Sequence, residues 1–202
     1  NMSSGEWLVL ARTKYMLDKL EPTLYENGYY YNNKFKKQKE HTLHMSALDW
    51  EHLRQGQLLK YDQIEKISSY INSWDKNKIK GMVKESFYGI DQLKKQYGLN
   101  TDKVWFEAFD AAPRREVNYL KQMRRRGEKL NEAPRITLST IHGAKGGEAE
   151  NVVLLTDLSF NTMRSYEKNP DDENRLFYVG ATRTKEHLHI IRPQQDNKGY
   201  DL

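Results

Sequence analysis

Apolar and polar positions at the start of the chain predict a strand followed by a helix. The run Trp7–Ala11 (WLVLA) is short and continuously apolar, which is typical of a buried strand. Thr13 can cap a helix, and the apolar residues after it fall at helical spacing, namely Met16, Leu17, Leu20 and Leu24. Asn27 and Gly28 supply the stop signal of that helix. The pattern predicts a β–α unit, with a second short strand at residues 29–31.

The middle of the chain has a helical period instead. From about residue 41 to residue 130, apolar residues recur at spacings of three and four, as in Ile64, Ile67, Ile71 and Trp74. Strand signals return after Pro134, at Ile136–Thr140, Val152–Leu155 and Leu188–Ile191, and a helix is predicted from about Asp172 to Lys185. We therefore predict one α/β domain built from both chain ends, residues 1–41 and 131–202, interrupted by an all-helical insertion at residues 42–130.

Composition adds a few limits to this picture. A chain of 202 residues with 37% hydrophobic content can bury a core, and a net charge of +5 is compatible with a polyanionic partner. The absence of cysteine excludes disulfides and thiolate metal sites, and the six histidines lack ligand spacing. No apolar run approaches the roughly 18 residues of a membrane span, so no membrane association is predicted and the expected location is cytoplasmic. Asn1 precedes Met2, which we interpret as the mark of a chain cut from a longer protein.

A glycine-rich turn carries the most distinctive chemistry of the chain. Residues 139–155 read STIHGAKGGEAENVVLL, with a lysine between the glycines and apolar runs on both sides. Backbone N–H groups of such a turn can converge on phosphate. The spacing nevertheless differs from the phosphate loop G-x-x-x-x-G-K-[ST], which occurs nowhere in this sequence. The chain therefore lacks the usual cradle for a nucleotide triphosphate.

Three segments in order point to a family. They are VLART (Val9–Thr13), STIHGAKGGE (Ser139–Glu148) and NRLFYVGATRTKE (Asn174–Glu186). Together, with a helical insertion between the first two, they resemble the second RecA-like motor domain of the UvrD/Rep/PcrA helicases of superfamily 1, in a compact form similar to that of phage relatives. The resemblance implies a RecA-like parallel sheet. It also implies a role in ATP-dependent translocation on DNA and in unwinding it, in the 3′ to 5′ direction.

The resemblance implies two sets of site residues. The set expected to contact ATP consists of Arg183, which meets the γ-phosphate, Arg12 as a second such arginine, Glu148 at the ribose, and Gly147. The set expected to contact DNA consists of Thr140, His142, Lys145 and Gly146. Guanidinium groups suit the charge that develops on a transferring phosphoryl group, and small residues allow the backbone to approach DNA phosphate. A surface pair with Glu186 is the alternative for Arg183, and a purely structural role is the alternative for Arg12.

The sequence supplies only part of a motor. The phosphate loop and the paired acidic residues that hold Mg²⁺ are missing, so we expect ATP and Mg²⁺ to bind at an interface with an N-terminal motor domain of the same protein. Single-stranded and duplex DNA are the expected partners, and the expected setting is the cytoplasm of a bacterial or phage-infected cell. The oligomeric state and the pathway, repair or replication, stay open.

Two other functions remain open at this point. One is a non-catalytic module that binds nucleic acid, and the other is the helicase part of a helicase–nuclease complex. The retained Glu148, Arg12 and Arg183 argue against the first, because a pure binding module does not need nucleotide-facing groups. The basic runs at residues 34–39 and 124–126 can contact a DNA backbone or can simply be solvated.

Overall fold

A computed structural model describes residues 2–36, 42–129, 132–193 and 199–200. The strands are β1 (Trp7–Ala11), β2 (Tyr31–Asn33), β3 (Leu59–Lys60), β4 (Phe87–Tyr88), β5 (Ile136–Thr140), β6 (Ala149–Leu155) and β7 (Thr184–Ile191). The α-helices are α1 (Lys14–Glu26), α2 (Thr42–Arg54), α3 (Tyr61–Ser68), α4 (Lys76–Lys80), α5 (Ile90–Gln96), α6 (Trp105–Ala108), α7 (Arg114–Arg125), α8 (Phe160–Lys168) and α9 (Asp171–Ala181). Within these residues, no helix combines the length and apolar character that crossing a bilayer requires.

The chain divides into two compact units. Unit 1 consists of Asn1–Gln38 and Lys121–Leu202, and unit 2 consists of Lys39–Leu120, so the boundary falls inside α7. The sequence predicts a related division at residues 41 and 131. Those domain limits stay a prediction, because contact density alone does not test whether either part folds independently.

Unit 1 is a five-stranded parallel sheet in the order β2-β5-β1-β6-β7. The central strand β1 is buried along its whole length. One face packs against α1 through residues such as Val9, Leu17 and Leu138. The other face packs against α9, where Phe177 is fully buried beside Leu10 and Leu154. The predicted RecA-like α/β arrangement is confirmed.

Unit 2 is built around buried indole rings. Trp50, Trp74 and Trp105 are each at most 2% exposed. Trp50 Nε1 donates to the carbonyl of Lys103 at 2.9 Å, and Trp74 Nε1 donates to that of Tyr97 at 2.9 Å, so two of the rings also hold loops in place. Besides its helices, the unit contains the antiparallel pair β3–β4, which is absent from the sequence-based prediction.

Two predicted element boundaries need correction. The second strand begins at Tyr31 rather than Tyr29, because the Tyr29 N–H still donates to Leu24 at the end of α1, after Gly28 turns the chain with φ +70°. The helix predicted to continue to Lys185 ends at Ala181. Thr184 already pairs with Ala149 in the sheet, so strand pairing overrides the helical pattern of the sequence.

Candidate functional site

The glycine-rich turn connects the carboxyl ends of the sheet strands to their amino ends. Thr140 ends β5 beside Ala11, at the edge formed by the carboxyl ends of the strands. Ala149 begins β6 at the opposite edge, where its N–H donates to the carbonyl of Arg183 at 3.1 Å. Because β1 lies between β5 and β6 and all three are parallel, residues 141–148 must cover the length of the strands. The turn therefore joins the carboxyl edge to the amino edge.

Buried anchors and local hydrogen bonds hold the turn. Ile141 and Ala144 are fully buried, and Thr140 Oγ1 accepts a hydrogen bond from the Gly143 N–H at 3.1 Å. The Gly147 N–H donates to Ala144 at 2.8 Å, and Gly146 has φ +80°, a left-handed conformation that favours glycine. His142 and Lys145 alternate with these anchors and are exposed. The local geometry thus presents both side chains to solvent.

Arg183 and Glu148 lie together at the amino edge. Arg183 is in the turn after α9, not within the helix as the sequence pattern predicts. Its Nε donates to the carbonyl of Val179 at 3.0 Å and its Nη2 to Thr182 Oγ1 at 3.2 Å. The alternative pair with Glu186 does not form, since that carboxylate lies 3.9 Å from His187 Nδ1 instead. Glu148 is exposed and directly precedes Ala149, which bonds to Arg183.

Arg12 lies at the carboxyl edge and is held by an ion pair. Its Nε donates to Oε2 of Glu173 at 2.7 Å and its Nη2 donates to Oε1 at 2.8 Å, a bidentate arrangement. The side chains of Arg12 and Glu173 are 23% and 8% exposed. The hydrogen bond that Arg12 donates to Glu173 raises the pKa of Arg12, against the smaller opposing effect of burial. Glu173 was not among the residues singled out from the sequence.

Phe35 and two lysines border the turn at the carboxyl edge. Phe35 lies against Gly143, so that a Cβ on this glycine would come within 3.1 Å of the Phe35 ring. Lys14 Nζ lies 4.3 Å from the centre of the same ring, and Lys34 Nζ donates to the Gly143 carbonyl at 3.4 Å. Phe35 is also absent from the predicted site, although an aromatic inside a basic run is a recognisable sign of nucleic-acid binding.

The two basic runs are only partly available to a ligand. Lys36 bonds to Asp18 at 2.6 Å and also to Glu21, and these hydrogen bonds raise the pKa of Lys36 above its usual value. Lys37 and Lys39 lie outside the described residues. In the second run, the Arg126 guanidinium stacks 4.0 Å above the Tyr29 ring, and its Nε donates to the carbonyl of Asn27. Lys36 is thus paired with the middle of α1, and Arg126 contacts the residues that directly follow this helix.

The structure brings together some predicted site residues and separates others. Glu148, Gly147 and Arg183 share the amino edge, whereas Thr140, His142 and Arg12 share the carboxyl edge. Leu10 pairs with Leu154 in the sheet. Arg12 lies two residues beyond Leu10, and Ala149 lies five residues before Leu154. Arg12 and Ala149 are therefore seven residues apart along the strand direction, roughly 20 Å. Joint contact of Arg12 and Arg183 with one γ-phosphate is therefore not supported. The individual roles of these residues stay predictions.

Comparison with known proteins gives one match. The sequence fits the family model described as UvrD-like helicase C-terminal domain over residues 11–195. This match covers the last residue of β1, α1, the glycine-rich turn, α9 and all of unit 2. A search of curated proteins gave no match. In the described part of the chain, no group of three His, Asp or Glu side chains is arranged to hold a metal ion.

Proposed function

This chain belongs to the UvrD-like helicase C-terminal domain family, and from that premise we propose that it is the second motor domain of an ATP-dependent DNA helicase. The function divides between the two edges of the sheet. The amino edge contacts nucleotide, and the carboxyl edge contacts a DNA strand. Translocation in the 3′ to 5′ direction and unwinding are part of the same proposal.

Two observations support nucleotide contact at the amino edge. The Arg183 guanidinium has no carboxylate within ion-pair distance among the described residues, so its charge is available to an anion. Glu148 is exposed beside it and can accept hydrogen bonds from ribose hydroxyls. Gly147, which directly precedes Glu148, has no side chain and so places nothing between Glu148 and Arg183. When ATP is bound, Arg183 would stabilise charge that develops on the γ-phosphoryl group, the usual task of an arginine finger.

The carboxyl edge has the chemistry of a nucleic-acid contact. His142 at this edge and Lys145 further along the turn are exposed, and Gly146 directly after Lys145 permits close approach of a phosphate group to the backbone. Lys34 and Lys14 add positive charge around the half-exposed ring of Phe35. Thr140 and Gly146 complete the DNA set. We propose that Arg12 positions α9 through Glu173 and does not contact the nucleotide, because two N–H groups of its guanidinium already donate to Glu173.

The path of residues 141–148 is the observation that carries the proposal. The Ile141 N–H donates to the Ala11 carbonyl at one edge, and the Ala149 N–H donates to the Arg183 carbonyl at the other. A short, well-packed segment therefore connects the proposed DNA contacts to the proposed nucleotide contacts. Such a connection allows a change at the nucleotide to move the DNA contact, provided the segment has two arrangements.

The rest of the ATP site must come from a first motor domain. The sequence has no phosphate loop, and the described residues offer no metal cluster, so that domain would supply the phosphate cradle and the Mg²⁺ ligands. ATP would then bind between the two motor domains of one protein.

The experiment compares the 202-residue chain with a protein that joins it to such a first domain. We expect the chain alone to hydrolyse ATP no faster than background and to bind single-stranded DNA weakly, with an affinity that falls steeply as salt rises. The joined protein should show DNA-stimulated hydrolysis and unwinding of a duplex with a 3′ overhang. Steady ATP turnover by the chain alone would contradict the division of labour. Salt-insensitive or sequence-specific DNA binding would favour a binding module without motor function.

A further inference from the structure

Unit 2 has an exposed aromatic surface on its two-stranded ribbon. Leu59 pairs with Tyr88 and Lys60 pairs with Phe87 across β3 and β4. Leu59 and Tyr88 are buried, which places Lys60 and Phe87 on the opposite, outward side of the ribbon. Phe87 is 55% exposed and Leu58, on the same side, is 61% exposed. We call Leu58, Lys60, Lys84 and Phe87 the ribbon face.

Positive charge is concentrated beside this aromatic ring. Lys60 Nζ lies 5.8 Å from the centre of the Phe87 ring, and Lys84 Nζ lies 5.9 Å from that of Tyr61, the residue next to Lys60. The segment from residue 76 to residue 84 (KNKIKGMVK) contains four lysines and no acidic residue. Asp75 and Glu85 flank this segment, and the rest of unit 2 carries nine basic and twelve acidic residues, so the positive excess is confined to the segment.

Folding does not account for these exposed side chains. In the segment 76–84 the buried side chains are Ile79 and Met82, while the lysines point to solvent. Among the described carboxylates, none forms an ion pair with Lys60 or Lys84. A ligand that covers the Phe87 ring would gain binding free energy, because it removes apolar surface from water. The ribbon face therefore has the composition of a binding surface and not that of a packing surface.

We propose that the ribbon face binds single-stranded nucleic acid, with one base stacked on Phe87 and the flanking phosphates at Lys60 and Lys84. An aromatic ring stacks on the face of any base, and that face is accessible in a single strand but covered in a duplex. Lys60 beside the ring and Lys84, three residues before Phe87 in the chain, match the charge of the backbone. This contact lies within unit 2 and is separate from the turn at residues 141–148, so it does not depend on the proposed motor function.

Binding to the full 202-residue chain tests the proposal. Fluorescence anisotropy would follow a labelled dT20 strand and an rU20 strand, which distinguish DNA from RNA. Phe87→Ala should weaken binding at least about fivefold, because loss of a base–aromatic stack has that size, and Phe87→Trp should retain the affinity. Phe160→Ala is the matched control, since Phe160 is 76% exposed in unit 1. An equal loss in the Phe160 variant would overturn the assignment.

A second pair of variants tests the lysines, and both members of the pair have the same net charge. The double variant Lys60→Gln with Lys84→Gln should reduce the slope of log affinity against log salt by roughly 1.4, as expected for two contacts to a single strand. The control, Lys66→Gln with Lys95→Gln, removes the same charge from exposed positions elsewhere in unit 2 and should leave the slope nearly unchanged. Equal slopes for the two double variants would overturn the proposal, as would preference for a blunt duplex or equal binding of polyglutamate.

Crosslinking separates this proposal from the proposed motor function. A strand containing 5-iodouracil should crosslink to Phe87 and, separately, to the region of His142. Loss of the Phe87 crosslink alone contradicts the ribbon contact, and loss of the His142 crosslink alone contradicts the DNA role of the turn. Circular dichroism of each variant must show an unchanged fold. If Phe87→Ala is unstable, the affinity of the Phe87→Trp variant still tests whether an aromatic ring at this position binds the strand.

Discussion

Arg12 and Glu173 form a bidentate ion pair that joins the end of β1 to the first turn of α9, with donor–acceptor distances of 2.7 and 2.8 Å. Glu173 is nearly buried, so its charge depends on this partner for compensation. Family resemblance alone suggests a nucleotide role for Arg12. Its pairing and its place at the carboxyl edge favour a structural role, in which it fixes the start of the helix that leads to Arg183.

Replacing either member of the pair by alanine should destabilise the chain. We expect Arg12→Ala and Glu173→Ala each to lower the free energy of unfolding by about 1–3 kcal/mol, because each leaves a partly buried charge without its hydrogen bonds. The double variant should lose clearly less than the sum of the single changes. Urea unfolding of the four proteins measures this coupling. Additive losses would contradict a structural pair, and an ATPase loss specific to Arg12→Ala would restore its nucleotide role.

The parts predicted correctly from sequence are those with a strong local signal. Strand β1 is a continuous apolar run because it is buried on both faces, and its limits, Trp7 and Ala11, agree with the structure. The end of α1 is encoded by Asn27 and by Gly28, which needs a positive φ. The glycine-rich turn is recognisable because its small residues and its lysine are contiguous in the sequence.

The parts missed depend on contacts distant in sequence. Glu173 is one of three acidic residues at the start of α9, and nothing local distinguishes the one that meets Arg12. The end of α9 is set by the pairing of Thr184 with Ala149, whose strand lies far back in the chain. Phe35 faces Gly143 only because β2 and β5 are neighbours in the sheet. Such relationships require the topology, which local patterns do not contain.

Arg183→Ala should abolish most ATP turnover in a protein that carries both motor domains. Arginine fingers contribute on the order of 10³-fold or more to phosphoryl transfer, and Arg183→Lys should recover little of this, since lysine lacks the planar fork. Binding of single-stranded DNA without nucleotide should hardly change, because Arg183 is at the amino edge. Steady-state ATPase assays and anisotropy measure the two effects. Parental turnover by the alanine variant would rule out the finger role.

Replacing His142 and Lys145 by alanine should affect DNA and not basal hydrolysis. Both side chains are exposed at the turn, so their loss should leave the fold intact and remove contacts to the strand. The slope of log affinity against log salt should fall by roughly 0.7 for the single lysine, and stimulation of ATPase by DNA should weaken. Lys168→Ala, an exposed lysine on α8, is the control and should change neither quantity. An identical slope in the double variant and the parent would contradict the DNA contact.

Gly143→Ala should destabilise the turn, whereas Gly147→Ala should be tolerated. A Cβ at Gly143 would lie 2.9 Å from Ser139 Oγ and 3.1 Å from the Phe35 ring, distances that force these groups to move. At Gly147 the nearest atom, the Ala144 carbonyl oxygen, is 3.4 Å away, which is ordinary contact. Overpacking of this kind costs about 1–3 kcal/mol, so thermal melts should show a lower midpoint for the Gly143 variant only. Because Gly143 positions Phe35 and accepts from Lys34, the same variant should also bind DNA more weakly. Equal melting midpoints for the two alanine variants would mean that Phe35 and Ser139 move aside freely, and that the carboxyl edge is not the closely packed surface on which the DNA contact depends.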